Sequence, residues 1–268
     1  MSSVPATATA LRLALLLLIA FVSLQAYFAL RIALMVLVDP QSTTFQRSEM
    51  WRLAATQHRI AWSQQWQGGP RIAESLKRAV IASEDAGFAD HSGVEWDALE
   101  KAWERNQRAE AQAEQGNERL ARRAAAAAQR SPARAAAARP PRPFRARVVG
   151  GSTITQQLAK NLFLSGERNL PRKAQEFALA LLLEALLDKR RILEIYLNEV
   201  EWGEGVFGAQ AAARHYFHVD ASQLGAPQAA RLAVMLPAPK RFEQRPASAY
   251  VAGRAATIAA RMGAVDLP

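Results

Sequence analysis

Residues 150–164 read GGSTITQQLAKNLFL. Ile154, Leu158 and Leu162 recur at helical spacing, which predicts an amphipathic helix with one apolar stripe. Thr153 followed three residues later by Gln156 has the form of a capping box, in which each side chain satisfies the other's backbone N–H, so the helix opens at Thr153. Gly150 and Gly151 allow close backbone approach just before it. The unpaired N–H groups of a helix start, with Ser152, Thr153, Thr155, Gln156 and Gln157 as neutral donors, suit an anion. Lys160 lies two turns on beside Asn161, and Arg168, Arg172 and Lys173 follow within thirteen residues. The set fits a phosphate or pyrophosphate. It fits equally a capped helix with a solvated basic face. A P-loop is excluded, because Gly-x4-Gly-Lys-Ser/Thr is absent.

Downstream, Asn169 and then Pro171 mark another helix start. Ala174, Phe177, Ala178, Leu181, Leu182 and Leu186 continue its apolar pattern. Glu176 stands at i+4 from Arg172 and i+3 from Lys173, the spacing of helix ion pairs. These pairs are ordinary surface structure, or they hold a second functional carboxylate ionised. Gly203, Gly205 and Gly208 predict a hinge-like loop, and AQAAARHYF and ASQLGAPQAARLAVMLPAP predict further helices, the last stopped by Pro237 and Pro239. No stretch alternates like a strand, so the expected fold is all-α.

Upstream, residues 104–147 lose apolar periodicity. Ala, Glu, Arg and Gln favour helix in the first part of this insert, and the cluster Pro140, Pro141 and Pro143 predicts an extended or disordered second part. The insert is expected to be poorly ordered; the alternative reading is that its arginines meet anionic lipid headgroups. Before it, Ile72, Leu76, Ala79 and Val80 predict a helix that runs into Glu84 and Asp85, with Phe88 and His91 close behind. A carboxylate at the end of a buried helix has a raised pKa, which suits a general base. Adjacent acids at a helix end are also commonly just solvated. The histidines, His58, His91, His215 and His218, lack HExxH-type spacing, so no metal site built by the protein alone is expected.

The N-terminal run LALLLLIAFVSLQAYFAL, residues 13–30, has only Ser23 and Gln25 as polar residues and resumes after Arg31 as IALMVLV. A bilayer core of roughly 30 Å needs about 20 apolar residues. Residues 13–38 therefore predict a transmembrane helix behind a short tail, 1–12, with Arg31 at an interface. The competing reading, a cleaved signal peptide, calls for a shorter apolar region and a small-x-small site. Residues 39–70, with Trp51, Trp62 and Trp66, read as a juxtamembrane segment or a domain edge, leaving the main domain to 71–268, interrupted by the insert.

The 268 residues contain no cysteine, which excludes disulfides and thiolate chemistry. The net charge of +10 invites a nucleic-acid reading. Residues 104–147 alone carry eleven Arg against four Glu, or +7 of that total, so the basic character belongs to the insert and no nucleic-acid partner is expected.

Taken together, EDAGFADHSGVEWDA, GGSTITQQLAKNLFL, RKAQEFALALLLE and KRRILEIYLNEVEWGEGVFGAQAAARHYF resemble, in order, the motifs of the peptidoglycan glycosyltransferases of family 51. With no penicillin-binding domain following, the chain resembles the monofunctional biosynthetic members. The resemblance covers roughly residues 71–240 apart from the insert. It implies a lysozyme-like helical lobe with a second, membrane-associated lobe, and an active site on the outer face of the cytoplasmic membrane. It implies lipid II and the nascent glycan as substrates, membrane lipids around the domain, and cell-division or elongation proteins as partners. Glu84 would be the catalytic base and Glu176 the second carboxylate. Ser152, Thr153, Gln156, Gln157, Lys160, Asn161, Arg168, Arg172, Lys173, Asp85 and Phe88 would bind substrate. No organic cofactor is implied; Mg²⁺ or Mn²⁺ near Glu176 would bridge the diphosphate, a role that Arg and Lys can also fill. Two departures stand out: Glu95 replaces the usual Asp, and the insert replaces a short connection. A lysozyme-like cleaving enzyme and a non-catalytic membrane scaffold are the competing readings.

Overall fold

The computed structural model describes residues 6–130, 142–144, 151–164 and 169–268. It divides into two compact units, one made of residues 1–94 with 153–268, the other of residues 95–152.

In the larger unit, α1 (Ala6–Leu34) and α2 (Thr44–Gln57) lead to the short strand β1 (Ser63–Gln64) and to α3 (Glu74–Glu84). The main-domain pattern of the sequence is realised from α3 on. Leu76, Ala79, Val80 and Ile81 lie on the buried side of α3. Helix α5 (Ile154–Phe163), α6 (Leu170–Leu186) and α7 (Lys189–Glu199) follow after the second unit's residues. Each starts at a residue whose side chain accepts an N–H of its first turn: Thr153, Asn169 and Asp188 respectively. Strands β2 (Glu201–Gly203) and β3 (Val206–Phe207) lead into α8 (Gly208–Phe217), and α9 (Ala226–Met235), α10 (Pro239–Phe242) and α11 (Ala249–Arg261) complete the unit. Helices α9 and α11 pack on each other and on α3. Helix α5 packs between α6, α7 and α2. The expected all-α fold is borne out, with one small addition.

That addition is a three-stranded sheet in the order β1-β3-β2, with Ser63 opposite Val206 in a parallel pair and Glu201 opposite Phe207 in an antiparallel one. Strands of two and three residues show no alternation that a sequence can reveal. The Gly203–Gly208 stretch expected to be a hinge is thus fastened. Ser63 N–H donates to Gly205 O at 2.8 Å. Gly208 has φ +80° and stands where a Cβ would lie 2.6 Å from the Asn198 carbonyl oxygen, so only glycine fits that corner.

Residues of the 39–70 stretch are also built into the fold. Thr43 and Gln46 form a capping box at the start of α2. The Gln46 Nε2 then donates to the Glu199 carbonyl at 3.1 Å, Thr44 Oγ1 donates to Leu162 O at 2.9 Å, and Leu53 is buried.

Residues Thr9–Leu34 of α1 have a mean hydropathy of 2.4, and α1 is the one helix among the described residues long and apolar enough to cross a membrane. It ends at Leu34, and residues 35–38 form turns. Its last turns pack on protein. Phe28, Ile32 and Met35 are buried, the Phe28 ring meets Phe163 edge-on at 5.3 Å, and Gln25 and Gln175 exchange hydrogen bonds of 3.3 and 3.1 Å. The Arg31 guanidinium sits over the Phe163 and Tyr27 rings at 5.5 and 5.9 Å, which accommodates a charge at the end of an apolar helix.

The smaller unit is dominated by α4 (Trp96–Arg130), a single helix of 35 residues. The first part of the insert, where composition favours helix, is therefore helical through residue 130, more ordered than the insert as a whole was expected to be. Its Ala, Arg, Gln and Glu content has high helix propensity, and Glu104–Arg108 and Glu118–Arg122 pairs at i,i+4 support it. Asn117 exchanges two hydrogen bonds with the Phe144 backbone, at 2.7 and 3.0 Å, and so binds Phe144 to the helix. The Pro140–Pro141 part of the insert lies outside the described residues.

The junction of α2, β1 and α7 carries a stability signature. Glu199 is 1% exposed; its Oε2 accepts from Gln64 Nε2 at 3.3 Å, while Oε1 is buried with no partner among the described residues. Burial pushes its pKa from 4.5 up to about 8, against the hydrogen bonds from the glutamines. The folded state thus holds a proton that the unfolded chain releases. The stability this contributes is full below pH 4.5 and is lost as pH rises through 8. Glu199→Gln is expected to flatten the pH dependence of Tm between these values, measured by circular dichroism in detergent.

Candidate active site

Helix α3 ends by delivering two adjacent acids to different surroundings. Glu84 closes the helix, and Asp85 follows with φ −163° and ψ 73°, so the chain turns there and the two carboxylates part. The Glu84 Oε2 accepts from Gln157 Nε2 on α5 at 3.0 Å, and Oε1 accepts from Ser83 Oγ at 3.3 Å. Burial raises the Glu84 pKa above its ordinary value of 4.5; the Gln157 and Ser83 donors oppose the shift, and the negative Asp85 adds to it. A carboxylate in this state is desolvated enough to take a proton and still hydrogen-bonded in its ionised form.

Asp85 is turned inward. Its Oδ1 meets His91 Nε2 at 2.8 Å, and its Oδ2 accepts the Ile154 N–H, the first of α5, at 2.9 Å. The Gly93 N–H donates to His91 Nδ1 at 3.1 Å, so Nε2 is the nitrogen that donates to Asp85. Thr153 Oγ1 in turn donates to Gly93 O at 2.6 Å. Gly93 has φ +83°, and a Cβ there would lie 2.7 Å from Glu184 Cγ and 3.3 Å from Ala180 O. The turn after α3 is thereby wrapped around the start of α5.

This geometry sorts the residues expected at the substrate. Asp85, Phe88, Thr153 and Gln156 are each at most 4% exposed. Asp85 joins α3 to α5. Thr153 and Gln156 close the capping box of α5 on each other. Phe88 is buried beneath the Lys189 ammonium, 4.4 Å from its ring centroid, while Lys189 also donates to Glu184 at 2.9 Å. All four side chains thus have partners within the fold. Gln157, Lys160 and Asn161, at i, i+3 and i+4 on α5, share one side of that helix, with Lys160 exposed and Asn161 buried. Ser152 belongs to the smaller unit, and Arg168 lies outside the described residues.

Glu176 occupies a second charged cluster on the first turns of α6. Its side chain is 5% exposed, one oxygen accepts from Arg172 Nη1 at 3.0 Å and the other from Lys173 Nζ. Lys173 also lies 4.9 Å from the Phe177 ring centroid. Two cationic donors already hold the Glu176 carboxylate, so its own oxygens are engaged within the protein. The positive charge of the cluster is supplied by the protein.

One residue of the site escapes sequence reasoning. Tyr196 on α7 is 1% exposed, and its hydroxyl donates to Gln157 Oε1 at 3.0 Å. In the sequence it reads as one more apolar-face residue of ILEIYLN, and nothing local announces a contact to a helix 39 residues earlier.

A desolvated acid at the end of α3 thus faces a polar helix, α5, that carries a lysine. The chain belongs to the transglycosylase family, whose pattern matches residues 53–137 and 130–263. It is 48% identical over 250 residues to the biosynthetic peptidoglycan transglycosylase of Burkholderia pseudomallei, covering 93% of this chain and 84% of that protein. It is 48% identical over 261 residues to the protein of the same description from Cupriavidus metallidurans, covering 94% and 95%, and 47% identical over 230 residues to that of Bordetella pertussis, covering 86% and 82%.

Asp85→Ala is expected to lower stability by about 3 kcal/mol, because it strands both the Ile154 N–H and the His91 proton in the interior. Chemical denaturation of the detergent-solubilised protein measures it.

Proposed function

We propose that the chain polymerises the glycan strands of peptidoglycan at the outer face of the inner membrane, with α1 as a retained single-pass anchor. It transfers the growing glycan from undecaprenyl pyrophosphate to the 4-hydroxyl of the GlcNAc of lipid II, with inversion at the donor C1. The observation that carries this reading is the Glu84 carboxylate, desolvated and hydrogen-bonded to Gln157, one helical turn from Lys160 on the same helix.

In the reaction Glu84 takes the proton of the acceptor hydroxyl as its oxygen attacks C1. The C1–O bond to the pyrophosphate breaks, and its electron pair leaves with the diphosphate. One displacement turns the α-linked donor into a β-1,4 product. Lys160, Arg172 and Lys173, with Ser152 and Arg168, supply the donors and positive charge that the leaving group needs as it departs. Glu176 holds Arg172 and Lys173 in place on α6. That the end of α1 packs into the α5–α6 layer supports the retained anchor, because cleaving it away would strip Phe28 and Ile32 from the core.

Purified protein incubated with lipid II is expected to release polyprenyl pyrophosphate and form a glycan polymer; soluble muropeptides from preformed cell wall would instead indicate cleavage. Glu84→Gln is expected to lose about 10²–10⁴-fold in kcat with the fold retained. Because burial raises the Glu84 pKa, the acid limb of the kcat/KM profile is expected above pH 4.5, with activity rising as the carboxylate ionises.

A further inference from the structure

We infer that Tyr196 is a positioning residue for the reaction: its buried hydroxyl fixes which end of the Gln157 amide faces Glu84. The inference rests on Glu84 being the base.

The three groups form a chain with one self-consistent direction. An ionised carboxylate only accepts, so Gln157 must present Nε2 to Glu84, and it does so at 3.0 Å. That leaves the amide oxygen for Tyr196, whose hydroxyl lies 3.0 Å from it. The opposite amide orientation would serve the protonated form of Glu84, with Oε1 accepting from the acid and Nε2 donating to the phenol oxygen. The Tyr196 proton would then be buried without an acceptor, since Gln157 is the phenol's hydrogen-bond partner among the described residues. Tyr196 therefore holds the amide in the orientation that stabilises the carboxylate, the form that accepts a proton. Burial and the charges of Glu84 and Asp85 raise the phenol's own pKa, so it stays a donor.

The phenol touches neither the acceptor sugar nor the diphosphate in this account; it acts through Gln157. Its packing is that of a core residue on α7, and α7 is seated against α5. A purely structural tyrosine would change stability on losing its hydroxyl and leave the ionisation of Glu84 where it was.

The test is the pH profile of kcat/KM for Tyr196→Phe, with the full chain in detergent and lipid II as substrate. The acid limb is expected to move to higher pH and kcat to fall roughly tenfold, with KM unchanged. Gln157→Met should move the limb in the same direction, and adding Tyr196→Phe to it should move it no further. A Tyr196→Phe protein with the wild-type limb and kcat overturns the inference, as does full additivity of the two substitutions. Glu84→Gln run alongside separates the two levels: if it stays active, the reading of Glu84 as base fails; if it is inactive while Tyr196→Phe is unaltered, only the positioning role fails. Should Tyr196→Phe not fold, Gln157→Met decides: a displaced limb supports the relay and an unmoved limb overturns it.

Discussion

The Asp85 carboxylate joins the last turn of α3 to the first N–H of α5, and the rest of the site is built on that junction. A helix start carries a partial positive charge and unpaired donors, and a buried carboxylate needs both. Each therefore removes the other's cost. The junction sets α5 against the end of α3, which puts Gln157 beside Glu84 and Thr153 beside Gly93. His91 occupies the remaining Asp85 oxygen, so the carboxylate has no freedom to swing toward the neighbouring acid. Two acids one residue apart are thus given opposite tasks by their surroundings. Asp85 is satisfied from both sides and holds structure together. Glu84 is left with two neutral donors and a pKa raised by burial.

The same division explains why α5 has so polar a sequence. Its residues serve two purposes that alternate around the helix. Thr153, Thr155 and Gln156 face inward and are spent on the cap, on Gly93 and on Glu184, to which Thr155 donates at 2.5 Å. Gln157 and Lys160 look the other way. Behind the helix, Ile154, Leu158 and Leu162 are at most 1% exposed and join the core. An ordinary amphipathic helix has one apolar and one solvated side; this one has a core side, a buried polar side and a working side.

How much of this the sequence discloses follows from the range of each interaction. The capping box at Thr153 and the Ile154–Leu158–Leu162 stripe are local, and both are legible in fifteen residues. The Arg172–Lys173–Glu176 cluster is legible for the same reason, since i,i+3 and i,i+4 spacing alone brings it together. The tie between Asp85 and Ile154 spans 69 residues, and the parallel pairing of Ser63 with Val206 spans more than twice that; no periodicity encodes either. The length of α4 was half legible: composition favours helix, but the absence of an apolar stripe reads as absence of order. Polar residues were the harder class throughout, because a buried capping glutamine and a ligand-binding glutamine look alike until their neighbours are known. Gln156 and Gln157 are adjacent, identical and differently employed.

The anchor belongs to the same physical argument. The end of α1 is held by the edge-on contact of Phe28 with Phe163 and by the paired amides of Gln25 and Gln175. Phe163 is the last residue of α5, and Gln175 is one residue from Glu176 on α6. The apolar helix α1 is therefore seated on the two helices that carry Lys160 and the Glu176 cluster. For a substrate whose sugar is tethered to a membrane lipid, this fixes the height of the cations relative to the bilayer surface. A flexible tether would leave that height to diffusion. Under the proposed function, packing the end of α1 into the α5–α6 layer would make the distance from lipid to base a property of the fold.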